Sequence, residues 1–151
     1  MSLLEKLKKN KIISANMISE KESPKDFINT GCLTLNVLFS GKLDGGIPVG
    51  RVNQIAAPSS LGKSFVALKV AKNAQKKGFE VIYIDTEMAY DSTFAENVGI
   101  DKEKILVIQD NQIEEVQQSV MNIIKEISDK KDREKLLLVI AIVCSLMCVS
   151  T

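Results

Sequence analysis

With 151 residues, 45% of them hydrophobic, the chain fits one domain and can bury a sizeable core. A net charge of +1 supplies no global field for nucleic acid, although local basic loops can suffice for such contacts. Three cysteines (Cys32, Cys144 and Cys148) without metal-like clustering, and no histidine, argue against a zinc site and point to a reducing, cytosolic setting. The start Met1-Ser2-Leu3-Leu4-Glu5-Lys6 lacks the apolar core of a signal peptide. The longest apolar run, residues 136–149, is shorter than a membrane span of ~20 residues, so no membrane partner is expected.

Ser2 and Glu5 make a capping-box pair, and Leu3, Leu4 and Leu7 give one apolar stripe, predicting a helix over residues 3–9. Its lysines (Lys6, Lys8, Lys9, Lys11) read as a solvated face or as contacts to DNA or an acidic partner. So short a helix must dock elsewhere to be stable. Residues 19–26 are polar, contain Pro24 and read as a linker, so residues 1–26 form an arm before a core at 27–151. Residues 27–39 suggest a short helix. Gly41, Gly45, Gly46, Gly50 and Pro48 then make a turn-rich entry to a strand at 51–56.

An amphipathic helix is expected at 65–77 and a second strand at 80–85, mostly apolar as a parallel strand covered on both faces should be. A helix over 91–98 ends at Gly99, and a third strand covers 104–109. Asn111 and Glu114 cap a helix whose Ile113, Val116, Val120, Ile123, Ile124 and Ile127 recur at helical spacing to about Ser128. A charged loop at 130–135 leads to a fourth strand at 136–140. Strands alternating with helices predict an α/β fold, a mostly parallel sheet flanked by helices. Ligands in such folds sit at the carboxyl ends of the strands.

Ala57-Pro58-Ser59-Ser60-Leu61-Gly62-Lys63-Ser64 lies at such an end, between a strand and a helix. The pattern G-x-x-x-x-G-K-[ST] binds phosphate because backbone N–H groups converge on it at a helix N-terminus. Its Lys neutralises the β/γ oxygens and its hydroxyl ligates Mg²⁺. Ala57 stands at the first glycine position. If that position needs φ > 0 the methyl costs roughly 1 kcal/mol, and otherwise it is harmless. Hydrolysis further needs a group that positions or deprotonates water. Glu87, two residues past the second strand, can project over the γ-phosphate position or simply cap or face solvent.

The segments Ile28-Asn29-Thr30-Gly31, Gly45-Gly46-Ile47-Pro48-Val49-Gly50-Arg51-Val52, the loop, and Tyr83-Ile84-Asp85-Thr86-Glu87 occur in an order and spacing that resembles the P-loop ATPase core of the RecA-type recombinases. The lysine-rich arm, the Ser40-Gly41-Lys42-Leu43-Asp44 turn and Val98-Gly99-Ile100-Asp101 most resemble the UvsX recombinases of T-even-type phages. The resemblance implies an ATP-binding, DNA-dependent ATPase of homologous recombination, strand exchange and DNA repair. It implies ATP and Mg²⁺ as cofactors and single-stranded DNA as partner. It also implies self-association into filaments through the arm, phage accessory proteins, and the cytoplasm of the host cell. By the same resemblance Pro58 to Gly62 (with Ser59, Ser60 and Leu61) wrap the phosphates, Lys63 contacts the β/γ oxygens and Ser64 binds Mg²⁺. Glu87 matches the residue that activates water, Asp91 contacts adenine and Phe94 stacks on it.

The family's fourth strand ends in an Asp that orders the Mg²⁺ shell, where this chain has Ala141, or Cys144 before Ser145 if the alignment is shifted. Losing that acid should weaken turnover while leaving nucleotide binding. The family's DNA loops would follow Thr151. A fragment is therefore expected, with the residues after Leu138 arising from a slipped reading frame; an intact frame on resequencing would rule that out. The alternatives are a non-catalytic nucleotide-binding or filament-interaction module, and another ATPase of related core such as a replicative helicase domain.

Overall fold

In the computed structural model, residues 24, 26–126, 136–142 and 146–150 are described. The expected arm helix, nearly all of the linker, Cys144 and Ser145 lie outside them.

The run Glu-Val-Ile-Tyr-Ile-Asp forms strand β4, Glu80–Asp85, and five of its six residues are buried. Odd and even residues of a strand point to opposite faces, and here both faces are covered. Val81 and Tyr83 pack with Val139 against helix α2, Lys63–Lys76, and helix α3, Ser92–Val98. Ile82 and Ile84 meet Val116, Val120 and Ile123 of helix α4, Ile113–Glu126. The result is a sheet between helical layers, a mixed α/β fold as expected.

Strand β4 pairs in parallel with β5, Ile105–Gln109, on one side and β6, Leu136–Ile142, on the other. The sheet order is β3-β7-β6-β4-β5, with β3 at Val52–Ala56 and β7 at Leu146–Ser150. Strand β7 runs antiparallel to both β6 and β3, so β3, β6, β4 and β5 all point the same way. The sheet is mixed rather than mostly parallel as expected: two of its four described pairings are parallel and two antiparallel, because the apolar tail supplies a reversed strand that separates β3 from β6. Only three residues, 143–145, separate β6 from β7, too few for the crossover that a parallel return requires.

The expected helix over 27–39 divides in two. Phe27–Ile28 is strand β1, paired antiparallel with β2, Ile47–Pro48, and only Leu33–Ser40 is helical (α1). This small unit is organised by Asn36, which is fully buried. Its Oδ1 accepts from the Thr30 N–H (2.9 Å) and hydroxyl (2.8 Å), and its Nδ2 donates to the Leu43 carbonyl (2.9 Å). Gly46 has φ 128°, and a Cβ there would lie 2.1 Å from the Ile28 carbonyl oxygen, so only glycine lets the strands close.

This unit and the α3 side then pin helix α2. Asn73 Nδ2 donates to the Asn29 carbonyl (2.7 Å), and Lys77 Nζ reaches Asp26 (2.5 Å) and the Phe27 carbonyl (2.6 Å). Gln75 exchanges two 2.9 Å bonds with the backbone of Asp101. Helix α3 starts at Asp91, whose Oδ1 accepts from the Thr93 and Phe94 N–H groups, and stops at Gly99 in the left-handed region, as its sequence predicts. Just before α4 the Asp110 side chain accepts from the Gln112 N–H (2.9 Å).

Asn36→Ala should take the partner from the buried Thr30 N–H and from the Leu43 carbonyl, while the Thr30 hydroxyl keeps the Cys32 carbonyl (3.0 Å), and destabilise the fold by about 1–3 kcal/mol. The reading is a lower urea midpoint at unchanged slope; an unmoved midpoint would show that the network adds nothing to stability.

Candidate functional site

Strand β3 ends at Ala56 and helix α2 begins at Lys63, so residues 57–62 form the turn between them. Outside glycine, positive φ is found among the described residues at Ser60 (64°) and Met88 (55°). Ala57 therefore needs no left-handed backbone, and its methyl is harmless. Gly62, the N-cap of α2, does need it, with φ 82°. No side chain caps this helix start, which leaves first-turn N–H groups facing outward with the positive end of the helix dipole. Such an end suits an anion.

Lys63 folds back so that Nζ donates to the Pro58 carbonyl at 3.1 Å. Pro58 has no N–H of its own to offer; its carbonyl instead parks the lysine beside the turn. Ser59, Ser60, Gly62, Lys63, Ser64, Phe65, Glu87 and Phe94 line one cavity of about 360 Å³. That is within the lower range of small-molecule sites. Ser64, Glu87 and Phe94 also line an adjoining recess of about 40 Å³ with Leu68, Tyr83, Asp85, Ala89, Tyr90 and Asp91.

The structure thus brings Lys63, Ser64, Glu87 and Phe94 together from two separate segments of chain, with Ser59, Ser60 and Gly62 beside them and Asp91 next door. Ala57, Pro58 and Leu61 belong to the turn but do not line the cavity. Asp91 is engaged in capping α3, with both bonds on one oxygen.

Sequence reasoning treated Asp85 only as part of a segment; its role is structural. It is buried, and its carboxylate accepts from the Glu87 N–H (3.2 Å), the Tyr90 N–H (2.7 Å) and Gln109 Nε2 (3.2 Å). Those bonds fold residues 86–90 over the end of β4 and present Glu87 to the cavity. Two strand-end polar residues, Asp85 and Gln109, stand at paired positions of β4 and β5, but that register is invisible in a linear pattern. Tyr83 was likewise missed. Burial pushes its phenol up to about 12, the charges of Asp85 and Glu87 add to the rise, and a hydrogen bond with Ser64 opposes it. At neutral pH it is an uncharged neighbour of Ser64, its ring 5.3 Å from that of Tyr90 and tilted by 50° to it.

Among the described residues no group of three or more Cys, Asp or Glu could hold a metal ion by itself. Mg²⁺ bound with a nucleotide asks for less, one or two protein oxygens beside waters and phosphates, and the exposed Ser64 hydroxyl in this cavity fits that demand. Where a further carboxylate was expected at the end of β6, Ala141 pairs in register with Asp85. Among the described residues no helix is long and apolar enough to cross a membrane.

The family model of the RecA N-terminal domain matches residues 2–147. That span takes in residues 2–26 and continues past Leu138. Protein RecA of Clostridium botulinum (strain Eklund 17B / Type B) is 45% identical over 84 residues, 56% of this chain and 23% of the relative. Protein RecA of Clostridium perfringens (strain 13 / Type A) is 38% identical over 97 residues, 64% and 27% respectively. Protein RecA of Bifidobacterium longum (strain NCC 2705) is 40% identical over 90 residues, 60% and 22%. The matched stretch spans about a quarter of the length of these curated relatives. With a family match over nearly the whole chain and an α/β sheet carrying Gly62-Lys63-Ser64 at a strand end, this chain belongs to the RecA N-terminal domain family.

Proposed function

We propose that the cavity binds ATP and that the chain is the nucleotide-binding part of a RecA-type recombinase, acting with DNA in recombination, strand exchange and repair. The observation that carries this reading is the convergence of an uncapped helix start, Lys63, Ser64 and Glu87 on one cavity. In it, the N–H groups from Ser59 to Gly62 and the first turn of α2 hold the phosphates. Lys63 leaves the Pro58 carbonyl for the β/γ oxygens. Ser64 offers its hydroxyl to Mg²⁺, which would neutralise phosphate charge. Glu87, held by the Asp85-ordered turn, orients and deprotonates the attacking water. Phe94 stacks on adenine, and Asp91 contributes the carboxylate oxygen its capping bonds leave over.

The position of Ala141 favours a second reading within the same family: a module that binds nucleotide and hydrolyses little. The methyl cannot order a metal-bound water, and Asp85, its register partner, already spends its oxygens on three hydrogen bonds.

The finer placement, nearest the UvsX recombinases of phages, rests on the compact 40–44 turn, the 98–101 segment and the lysine-rich arm. A gene lying on a bacterial chromosome outside any prophage would overturn it. The arm's proposed role is to dock on a neighbouring copy, supported by the family match reaching back to residue 2. Deleting residues 1–9 should abolish self-association in sedimentation while leaving ATP affinity intact; unchanged assembly would remove that role.

Lys63→Ala should weaken ATP binding by about 10- to 150-fold, the worth of a charge-assisted contact, in an equilibrium titration. Undiminished affinity would sink the site assignment. Measured with and without single-stranded DNA, the chain itself should bind ATP with little turnover. DNA-stimulated hydrolysis would instead establish catalysis, and Glu87→Gln should then lower the rate by about 100- to 10,000-fold at unchanged affinity. A rate untouched by that change would mean that another group serves as base.

A further inference from the structure

The rim of the cavity carries a pair of aromatic rings, of which the phosphate-binding pattern accounts for neither. Phe65 follows Ser64 in the first turn of α2, and Phe94 lies in the first turn of α3. Their centroids are 6.2 Å apart with planes tilted by 47°. The two residues stay 44% and 43% exposed, although both line a cavity whose other walls are serines, a glycine, a lysine and a glutamate. On the flank of Phe65, Lys69 Nζ lies 5.3 Å from the ring centroid, one helical turn further on. A tilted pair in contact cannot admit a ring between its members, but it presents an angled wall: the face of one ring and the edge of the other.

Two large rings left nearly half in water at the mouth of a polar cavity are a poor arrangement for folding alone, since their burial elsewhere would be favourable. They are a good arrangement for a flat apolar ligand. Stacking on an aromatic side chain is the usual way a nucleobase is held, and it depends on ring area rather than on hydrogen-bond pattern. The resemblance supplies only Phe94 for this task. We propose that Phe65 is a second base-contacting residue, and that Phe65 and Phe94 together form a binding wall for a purine base. Lys69 holds the Phe65 ring from behind. The wall selects bicyclic over monocyclic bases by contact area and does not distinguish adenine from guanine. This inference rests on the nucleotide reading of the same cavity.

The test separates the two. Affinities of the whole chain for ATP and for inorganic tripolyphosphate are measured for the unaltered protein, Phe65→Ala, Phe65→Leu and Lys63→Ala. Phe65→Leu keeps an apolar side chain at the helix start should the smaller residue unfold it. Both Phe65 variants are expected to weaken ATP by about fivefold or more and to leave tripolyphosphate unchanged, while Lys63→Ala weakens both ligands. An equal loss for both ligands in the Phe65 variants would make Phe65 a support of the turn and overturn the proposal. So would unchanged ATP affinity, or an unaltered protein that binds ATP no better than tripolyphosphate. Should Lys63→Ala affect neither ligand, the nucleotide reading itself fails, and the base wall with it.

Discussion

The site depends on helix α2 lying close against the sheet. Its inward stripe is Ala67, Leu68, Val70, Ala71 and Ala74, all buried, with three alanines that let the helix axis approach the strands. The C-terminal half is then fixed from both sides, by Asn73 and Lys77 to the segment before α1 and by Gln75 to Asp101. A rigid rod pinned along its rear half has a defined front end. That front end is Gly62-Lys63-Ser64, held where the parallel strands end. Burial of small apolar residues is in this way converted into the position of a charged side chain and a hydroxyl.

Two loops face each other across the cavity, and each contains a non-glycine residue with left-handed backbone, Ser60 and Met88. For such residues that conformation is disfavoured by roughly 1–2 kcal/mol, and it persists only where the surroundings over-determine it. Around Met88 the cause is visible. Asp85 takes the N–H groups of Glu87 and Tyr90, on either side, so the intervening chain has little choice of path. A loop already bent to this shape needs no further ordering when a ligand arrives, which conserves affinity.

Much of this was legible in the sequence because it is local. Strand β4 and helices α2 and α3 follow from runs of fewer than about fifteen residues, and Asp91 and Gly99 announce the ends of α3 by their chemistry. The Gly62-Lys63-Ser64 turn is equally local, and its placement at a strand end came with the alternation of strands and helices. What stayed hidden depends on pairings between distant segments. Phe27–Ile28 looks like the start of a helix until Ile47–Pro48 is beside it. Asn36 looks like an exposed polar residue of α1 until Thr30 and Leu43 close over it. Strand β7 is one end of an apolar run, and nothing in its composition says that it will slot between β3 and β6 in reverse. The Phe65–Phe94 pair joins the first turns of two helices, so neither residue signals the other.

The same geography separates binding from turnover. Among the described residues, every group that lines this cavity and its recess comes from residues 59–94, on α2, α3, the end of β4 and the turns that precede the helices. None of them depends on a side chain of β6. The strand contributes instead at the far side of Asp85, where its backbone register sets Ala141 in place of an expected carboxylate. Electrostatic attraction between backbone N–H groups, Lys63 and phosphate is complete without that carboxylate, whereas ordering a metal-bound water calls for another oxygen near the cation. If the cavity takes nucleotide as proposed, alanine at position 141 would spare affinity and lower the rate, because the two properties would draw on different strands of the same sheet.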